Sequence, residues 1–281
     1  MRVFVNGIRL YFDVEGAELV PDGPIMRERP TVVLIHGGPG ADHTTFKPFM
    51  SDFAQHGQLI YFDHRGMGRS DEGTPDEWML SQWADDLAGL LDVLEIHMPY
   101  LVGASFGGFV AQAFATRYPE RLSKLALVST APRSDPKLSA QVFARLGGPK
   151  AGEIAERFLS GDVDAAAEYM HRCAPHYNVG DMDMNMVSRA IQRPGTLNHF
   201  FGPGGEWHSI DFRQGLARIQ CPTLVLHGEL DPIFPLPLAQ EMFAAIPDKF
   251  SRLEVVEDAG HGWVDKPEEW RSALKTFLFE C

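Results

Sequence analysis

Pro99-Tyr100-Leu101-Val102-Gly103-Ala104-Ser105-Phe106-Gly107-Gly108 is the stretch whose reading decides the fold. A short apolar run with strand character stops at Gly103, a serine stands two residues further on, and two glycines open a helical pattern over residues 109–118. A strand that turns directly into a helix forces strained backbone angles at the turn, and Gly103 and Gly107 leave room there for neighbouring chain. Ser105 is thereby presented at the tip of the turn as a candidate nucleophile. The N–H groups of the helix start behind it are aimed at any oxyanion formed beside it.

The flanking sequence repeats the theme. Residues 31–35 (TVVLI), 59–62 and 125–128 are short continuous apolar runs, as expected for strands buried on both faces of a parallel sheet. Between them lie helical patterns at residues 46–56 and 82–94, the second with Ser81 as its expected cap and Trp83, Leu87, Leu90, Leu91 and Leu94 along one face. Asn6-Gly7 between two β-rich runs predicts an opening hairpin, and residues 15–30 read as a turn-rich connector. Regular alternation of strand and helix implies a doubly wound, mostly parallel α/β sheet, whose right-handed crossovers put the carboxyl ends of the strands on one edge.

The alternation stops over residues 132–214, where helical patterns, a methionine-rich run at 181–186 and a glycine-rich turn at 202–205 suggest an inserted, mainly helical cap. Strand-like segments resume at 223–226 and 253–256. The expected organisation is a core over residues 1–131, a cap over 132–214 and the remainder of the core over 215–281.

Composition narrows the function classes. The chain has 281 residues, 44% of them hydrophobic and 22% charged, which suits a globular protein with a sizeable core. A formal net charge of −13 without any Lys/Arg run argues against a nucleic-acid or anionic-membrane partner. Cys173, Cys221 and Cys281 are odd in number and share no motif spacing, so neither a disulfide framework nor a Cys-x-x-Cys metal site is expected. No apolar leader or bilayer-length run is present, and the expectation is a soluble, cytoplasmic protein of open oligomeric state. The histidines form no metal-ligand motif such as HExxH, so no metal or other cofactor is expected.

A nucleophilic serine needs a base to take its proton and an acid to orient that base. Asp231 follows the strand at 223–226, and His261 follows the strand at 253–256 between two glycines, so both belong to the edge that carries Ser105. Glu229, Glu257, Asp258 and Asp135 are the competing acids, and none combines the strand-end position with the chain order Ser, Asp, His. His36-Gly37-Gly38-Pro39-Gly40 ends the strand at 31–35, which makes the backbone N–H groups of Gly38 and Phe106 the expected oxyanion hole. His36 is expected to brace that loop, Arg65 to be structural and His227 to be a core histidine.

Five motifs carry a resemblance: HGGPG at 36–40, D-x-R-G-x-G-x-S at 63–70, G-x-S-x-G-G at 103–108, G-x-x-D at 228–231 and the Gly260-His261 pair. Together they resemble the α/β-hydrolase superfamily, and within it the chain is most similar to proline iminopeptidases. The likeness spans roughly residues 31–131 and 220 to the C-terminus. It implies an α/β-hydrolase fold, a serine hydrolase with Ser105, Asp231 and His261 as its triad, and release of an N-terminal residue, often proline, from short peptides. It also implies a cap carboxylate for the substrate ammonium, with Glu206 as the candidate. Trp207 and Gly37 complete the expected substrate contacts. Pro232, where some members place a second acid, and Phe106, where many carry Trp or Tyr, depart from the family pattern. A small carboxylesterase or lactonase is the alternative on the same triad, and a catalytically silent receptor is the reading from another class.

Overall fold

Asn6 (φ +45°) and Gly7 (φ +84°) turn β1 (Arg2–Val5) back on β2 (Ile8–Glu15) as an antiparallel hairpin. Two consecutive positive φ angles match the twist of a type I′ turn to that of the strands it joins. The structure, a computed structural model, describes residues 1–280. Where the sequence indicates only a connector, the chain folds a second hairpin, β3 (Leu19–Asp22) with β4 (Ile25–Glu28). Its Leu19, Ile25 and Met26 are exposed, so no apolar alternation marks it in the sequence.

β5 (Thr31–Ile35) is buried along its whole length. The helix expected at residues 46–56 is replaced by two 3-10 segments, His43–Phe46 and Phe49–Gln55. Pro48 stands between them, and its missing N–H interrupts the hydrogen-bond ladder a continuous helix needs. The core then continues through β6 (Gln58–Phe62), α1 (Leu80–Val93), β7 (Tyr100–Ala104), α2 (Phe106–Arg117) and β8 (Lys124–Val128). Between β8 and the next strand come α3 (Pro136–Gly147), α4 (Pro149–Leu159), α5 (Ala166–Arg172), α6 (Met184–Arg189), α7 (Pro194–Phe201) and α8 (Arg213–Leu216). β9 (Thr223–Gly228), α9 (Leu236–Ala245), β10 (Ser251–Val256) and α10 (Pro267–Lys275) complete the chain. No helix among the described residues is long and apolar enough to cross a membrane.

The main sheet has eight strands in the order β1-β2-β6-β5-β7-β8-β9-β10, parallel from β6 to β10 and antiparallel at the β1–β2 edge. From β5 the chain steps to β6 on one side and then to β7 on the other, so the winding reverses beside β5. Such a reversal opens a crevice at the carboxyl ends of the two strands that flank it. The residues after β5 and β7 are His36 onward and Ser105 onward. Apolar layers cover both faces: Trp83, Leu87 and Phe109 belong to one, Phe46, Phe53 and Trp270 to the other.

The loop after β6 braces this edge through buried charge. Arg65 is fully buried; its Nε and Nη2 donate to Asp86 of α1 at 2.8 Å each, Nη1 donates to Glu77 at 2.9 Å, and Nη2 also reaches the Asn6 carbonyl at 2.9 Å. One guanidinium thus ties the first hairpin, the β6 loop and α1. Nearby, burial opposes ionisation of Asp63, but the hydrogen bond from His43 and the electrostatic interactions with His36 and His43 hold its pKa down to about 2.

Removing Asp86 leaves the buried Arg65 charge with only the partly exposed Glu77 to answer it. Asp86→Ala is expected to cost about 3–5 kcal/mol of folding stability, read from urea unfolding. A loss below about 1 kcal/mol would show that water reaches Arg65 readily.

Candidate active site

Ser105 takes φ +53° and ψ −120° at the junction of β7 and α2. A non-glycine residue with positive φ is strained by about 1–3 kcal/mol, and the surrounding structure has to hold it there. Its N–H donates to the Val128 carbonyl at 2.9 Å, and its own carbonyl accepts from Gly108 N–H at 2.9 Å. Gly107 allows α2 to come this close, since a Cβ there would lie 1.9 Å from the Ile35 carbonyl oxygen. The Ser105 side chain lies against Gly37, where a Cβ would sit 3.0 Å from Ser105 Cβ and 3.6 Å from Oγ. Among the described residues the Ser105 Oγ makes no hydrogen bond, to His261 or to any other group.

The loop after β5 is shaped by His36. With His64 N–H donating to its Nε2 at 3.3 Å, the proton sits on Nδ1, which donates to the Gly37 carbonyl at 3.0 Å. Burial pushes the His36 pKa down and keeps the ring neutral. Gly38 adopts φ +60°, and its carbonyl is fixed by Ala41 N–H at 2.8 Å. Phe106 N–H is the first of α2 and belongs to the set that no intrahelical carbonyl can satisfy. Both expected oxyanion donors thus belong to loops that meet at Ser105.

Asp231 follows β9 and is buried. Its Oδ1 accepts N–H groups from Ile233 at 2.9 Å and Phe234 at 3.0 Å, while Oδ2 accepts from His261 Nδ1 at 2.8 Å. Burial alone would raise its pKa; the hydrogen bond and electrostatic interaction with His261, the interaction with His227 and the Phe234 N–H overcome that and hold the carboxyl below its ordinary value. His227 Nε2 donates to the Phe234 carbonyl at 2.6 Å, with burial pushing its pKa down. A neutral imidazole there fixes the 231–234 turn from beneath.

The His261 loop is held residue by residue. His261 N–H donates to the Tyr177 carbonyl at 2.6 Å and Gly262 N–H to Ser129 Oγ at 3.0 Å. The imidazole has the rings of Tyr177 and Phe234 beside it, at centroid separations of 6.0 and 5.8 Å, and its side chain is 14% exposed. With Nδ1 committed to Asp231, Nε2 is the nitrogen left for proton transfer. Ser105 and Gly262 hang from adjacent residues at the end of β8, Val128 and Ser129, which puts the serine and the histidine loop on one rim.

The other sequence candidates go elsewhere. Glu206 accepts the N–H of Leu80 at 2.6 Å and so caps α1, the position expected for Ser81; burial raises its pKa. Trp207 is 1% exposed, its indole N–H is given to the Leu159 carbonyl at 2.7 Å, and Phe109, Phe200, Phe201 and Phe234 surround it. Its side chain is thereby held on all sides by protein. Of the competing acids, Asp135 caps α3 and pairs with Arg133, Glu229 accepts from Asp258 N–H, and Glu257 and Asp258 are exposed. Sequence reasoning missed Tyr177 and Ser129, since a backbone carbonyl and a lone hydroxyl leave no motif. No group of three or more His, Cys, Asp or Glu among the described residues is placed to hold a metal ion.

A family model described as the alpha/beta hydrolase fold matches residues 30–264. The chain belongs to the α/β-hydrolase fold family. Among its α/β-hydrolase relatives, a proline iminopeptidase of Clostridium botulinum is 31% identical over 267 residues, covering 88% of this chain and 89% of that one. A Caulobacter protein named as a carbamate hydrolase is 28% identical over 277 residues, covering 96% of this chain and 95% of its own. The crystal structure of a proline iminopeptidase from Mycobacterium smegmatis superposes with a TM-score of 0.78 at 20% identity, covering 100% of this chain and 97% of that one, and at that identity it speaks to the fold alone.

The closeness of Gly107 to Ile35 generates a test. A methyl at 107 has rigid backbone as its neighbour, so Gly107→Ala is expected to cost more than about 3 kcal/mol or to abolish soluble expression, whereas Gly→Ala in an unobstructed helix stabilises by about 1 kcal/mol. Thermal unfolding of the purified variant checks it.

Proposed function

We propose that this α/β-hydrolase is a serine hydrolase that cleaves a small amide or ester through an acyl-enzyme. The observation that carries the reading is the 2.8 Å bond between His261 and a buried Asp231, on the same rim as a strained Ser105 turn. Ser105 gives its proton to His261 Nε2 as Oγ attacks the substrate carbonyl carbon, and the N–H groups of Gly38 and Phe106 receive the oxyanion. The imidazolium, stabilised by Asp231, then protonates the leaving amine or alcohol as the carbon–heteroatom bond breaks. Water, deprotonated by the same nitrogen, attacks the acyl carbon and restores Ser105. Asp231 keeps Nδ1 protonated throughout, so that Nε2 starts each step as the base.

The leading substrate is a short peptide or amide with a free N-terminal residue of the proline type, supported by the HGGPG loop and by the relative at 31% identity. A second reading, a neutral ester or lactone, is favoured by a specific observation. Glu206, the candidate for the substrate ammonium, is committed to Leu80 N–H, and burial pushes it toward its uncharged form. The relative named as a carbamate hydrolase suits this reading equally well.

Ser105→Ala is expected to abolish labelling by a fluorophosphonate probe and to lower turnover by about 10⁴-fold or more. A wild-type protein that resists the probe would overturn the serine-hydrolase reading. Proline p-nitroanilide, its N-acetylated form and short acyl esters then separate the two substrate classes. Preference for the free amine establishes the aminopeptidase, and hydrolysis of the blocked compounds and esters establishes the second reading. Because Glu206 caps α1, Glu206→Ala is expected to lose about 1 kcal/mol of stability. A rise in KM confined to free-amine substrates would give this carboxylate the ammonium role, and equal effects on both classes would leave it as a cap.

A further inference from the structure

Three consecutive amides around the proposed base are each claimed by a different part of the molecule. Gly260 N–H donates to Asp265 Oδ2 at 2.8 Å, His261 N–H to the Tyr177 carbonyl at 2.6 Å, and Gly262 N–H to Ser129 Oγ at 3.0 Å. Asp265 is 8% exposed and does more than close its own loop. The same Oδ2 accepts Val179 N–H at 2.9 Å, and Oδ1 accepts Gly180 N–H at 2.7 Å. Residues 177–180 lie in the segment between α5 and α6, so one carboxylate grips the cap with two bonds and the histidine loop with a third.

We propose that Asp265 is a positioning residue for His261, acting through residues 177–180 of the cap. The inference rests on His261 being the base of the proposed serine hydrolase. Asp265 touches neither Ser105 nor the reacting atoms; it fixes the backbone from which the imidazole projects. Hydrogen bonds to an ionised acceptor are about twice as strong as neutral ones, and three converging on one buried carboxylate use most of its lone-pair capacity. Without them residues 177–180 lose their anchor on the loop, and the Tyr177 carbonyl that holds His261 N–H shifts with them. A displacement of about 1 Å at a catalytic group is enough to lower turnover by about 10²-fold. The position of this part of the cap and the aim of the imidazole are therefore set by one side chain.

The experiment compares wild type, Asp265→Ala and Asp265→Asn as full chains, using the substrate that wild type cleaves fastest. Fluorophosphonate titration first counts intact sites, and kcat is then expressed per titrated site. Positioning predicts a fall in kcat per site of about 10–100-fold for Asp265→Ala and a smaller fall for Asp265→Asn, with KM within about twofold. It also predicts faster hydrogen exchange at the Val179, Gly180 and Gly260 amides. A merely structural part would lower the number of titratable sites and leave kcat per site unchanged, which overturns the proposal, as does unchanged exchange at the three amides. Should Asp265→Ala fail to fold, Asp265→Asn, which keeps the shape and one acceptor oxygen, decides by the same measures. A wild type that the probe does not label overturns the serine-hydrolase reading and this inference together, whereas a labelled wild type with unaltered variants overturns the inference alone.

Discussion

The Ile35 carbonyl and the backbone of Gly107 approach so closely that no side chain fits at 107, and this contact sets the height at which α2 meets the end of β5. Ser105, one step before α2, is pressed into positive φ by the same approach, and the Gly37 backbone is left against its side chain. The contact forms where the winding of the sheet reverses, so a crevice opens where two loops are forced together. Strain at Ser105 is held by the buried strands on either side, whose core residues stabilise by about 1.5–3 kcal/mol each.

Around that point the charges are sorted by what each buried group can bond. Asp231 is ionised because two backbone N–H groups and two imidazoles offset the cost of its burial. His36 and His227, with backbone partners and deep burial, are pushed toward neutrality and serve as braces for the HGG loop and the 231–234 turn. Three histidines on one rim thus take different duties, and the difference comes from whether a carboxylate or a carbonyl sits opposite Nδ1 or Nε2.

Features written in short stretches of sequence were legible. The Asn6-Gly7 hairpin, the buried strand at 31–35 and the strand–turn–helix at 100–117 each follow from local composition, and the Asp231–His261 contact follows from putting strand ends on one edge. What the sequence hid depends on residues far apart in the chain. The start of α1 is set by Glu206, 126 residues away, which made Ser81 look like the cap. The ring of aromatic residues that encloses Trp207 is likewise revealed by nothing local. The β3–β4 hairpin buries none of its large apolar side chains, and so lacks the alternation by which strands are recognised.

β8 and β9 lie side by side in the sheet although the whole run of helices α3 to α8 separates them in the chain. Joining two strands across so long a stretch carries a larger closure entropy than any other pairing in the sheet, and contacts of that kind slow a folding reaction. The turn that displays Ser105 needs only partners that precede that divide, whereas Asp231 and His261 arrive with the strands beyond it. Assembly of the rim is thus tied to the pairing that spans the longest stretch of chain in the sheet, and a chain that has folded only its first half has the Ser105 turn without the Asp231 and His261 loops.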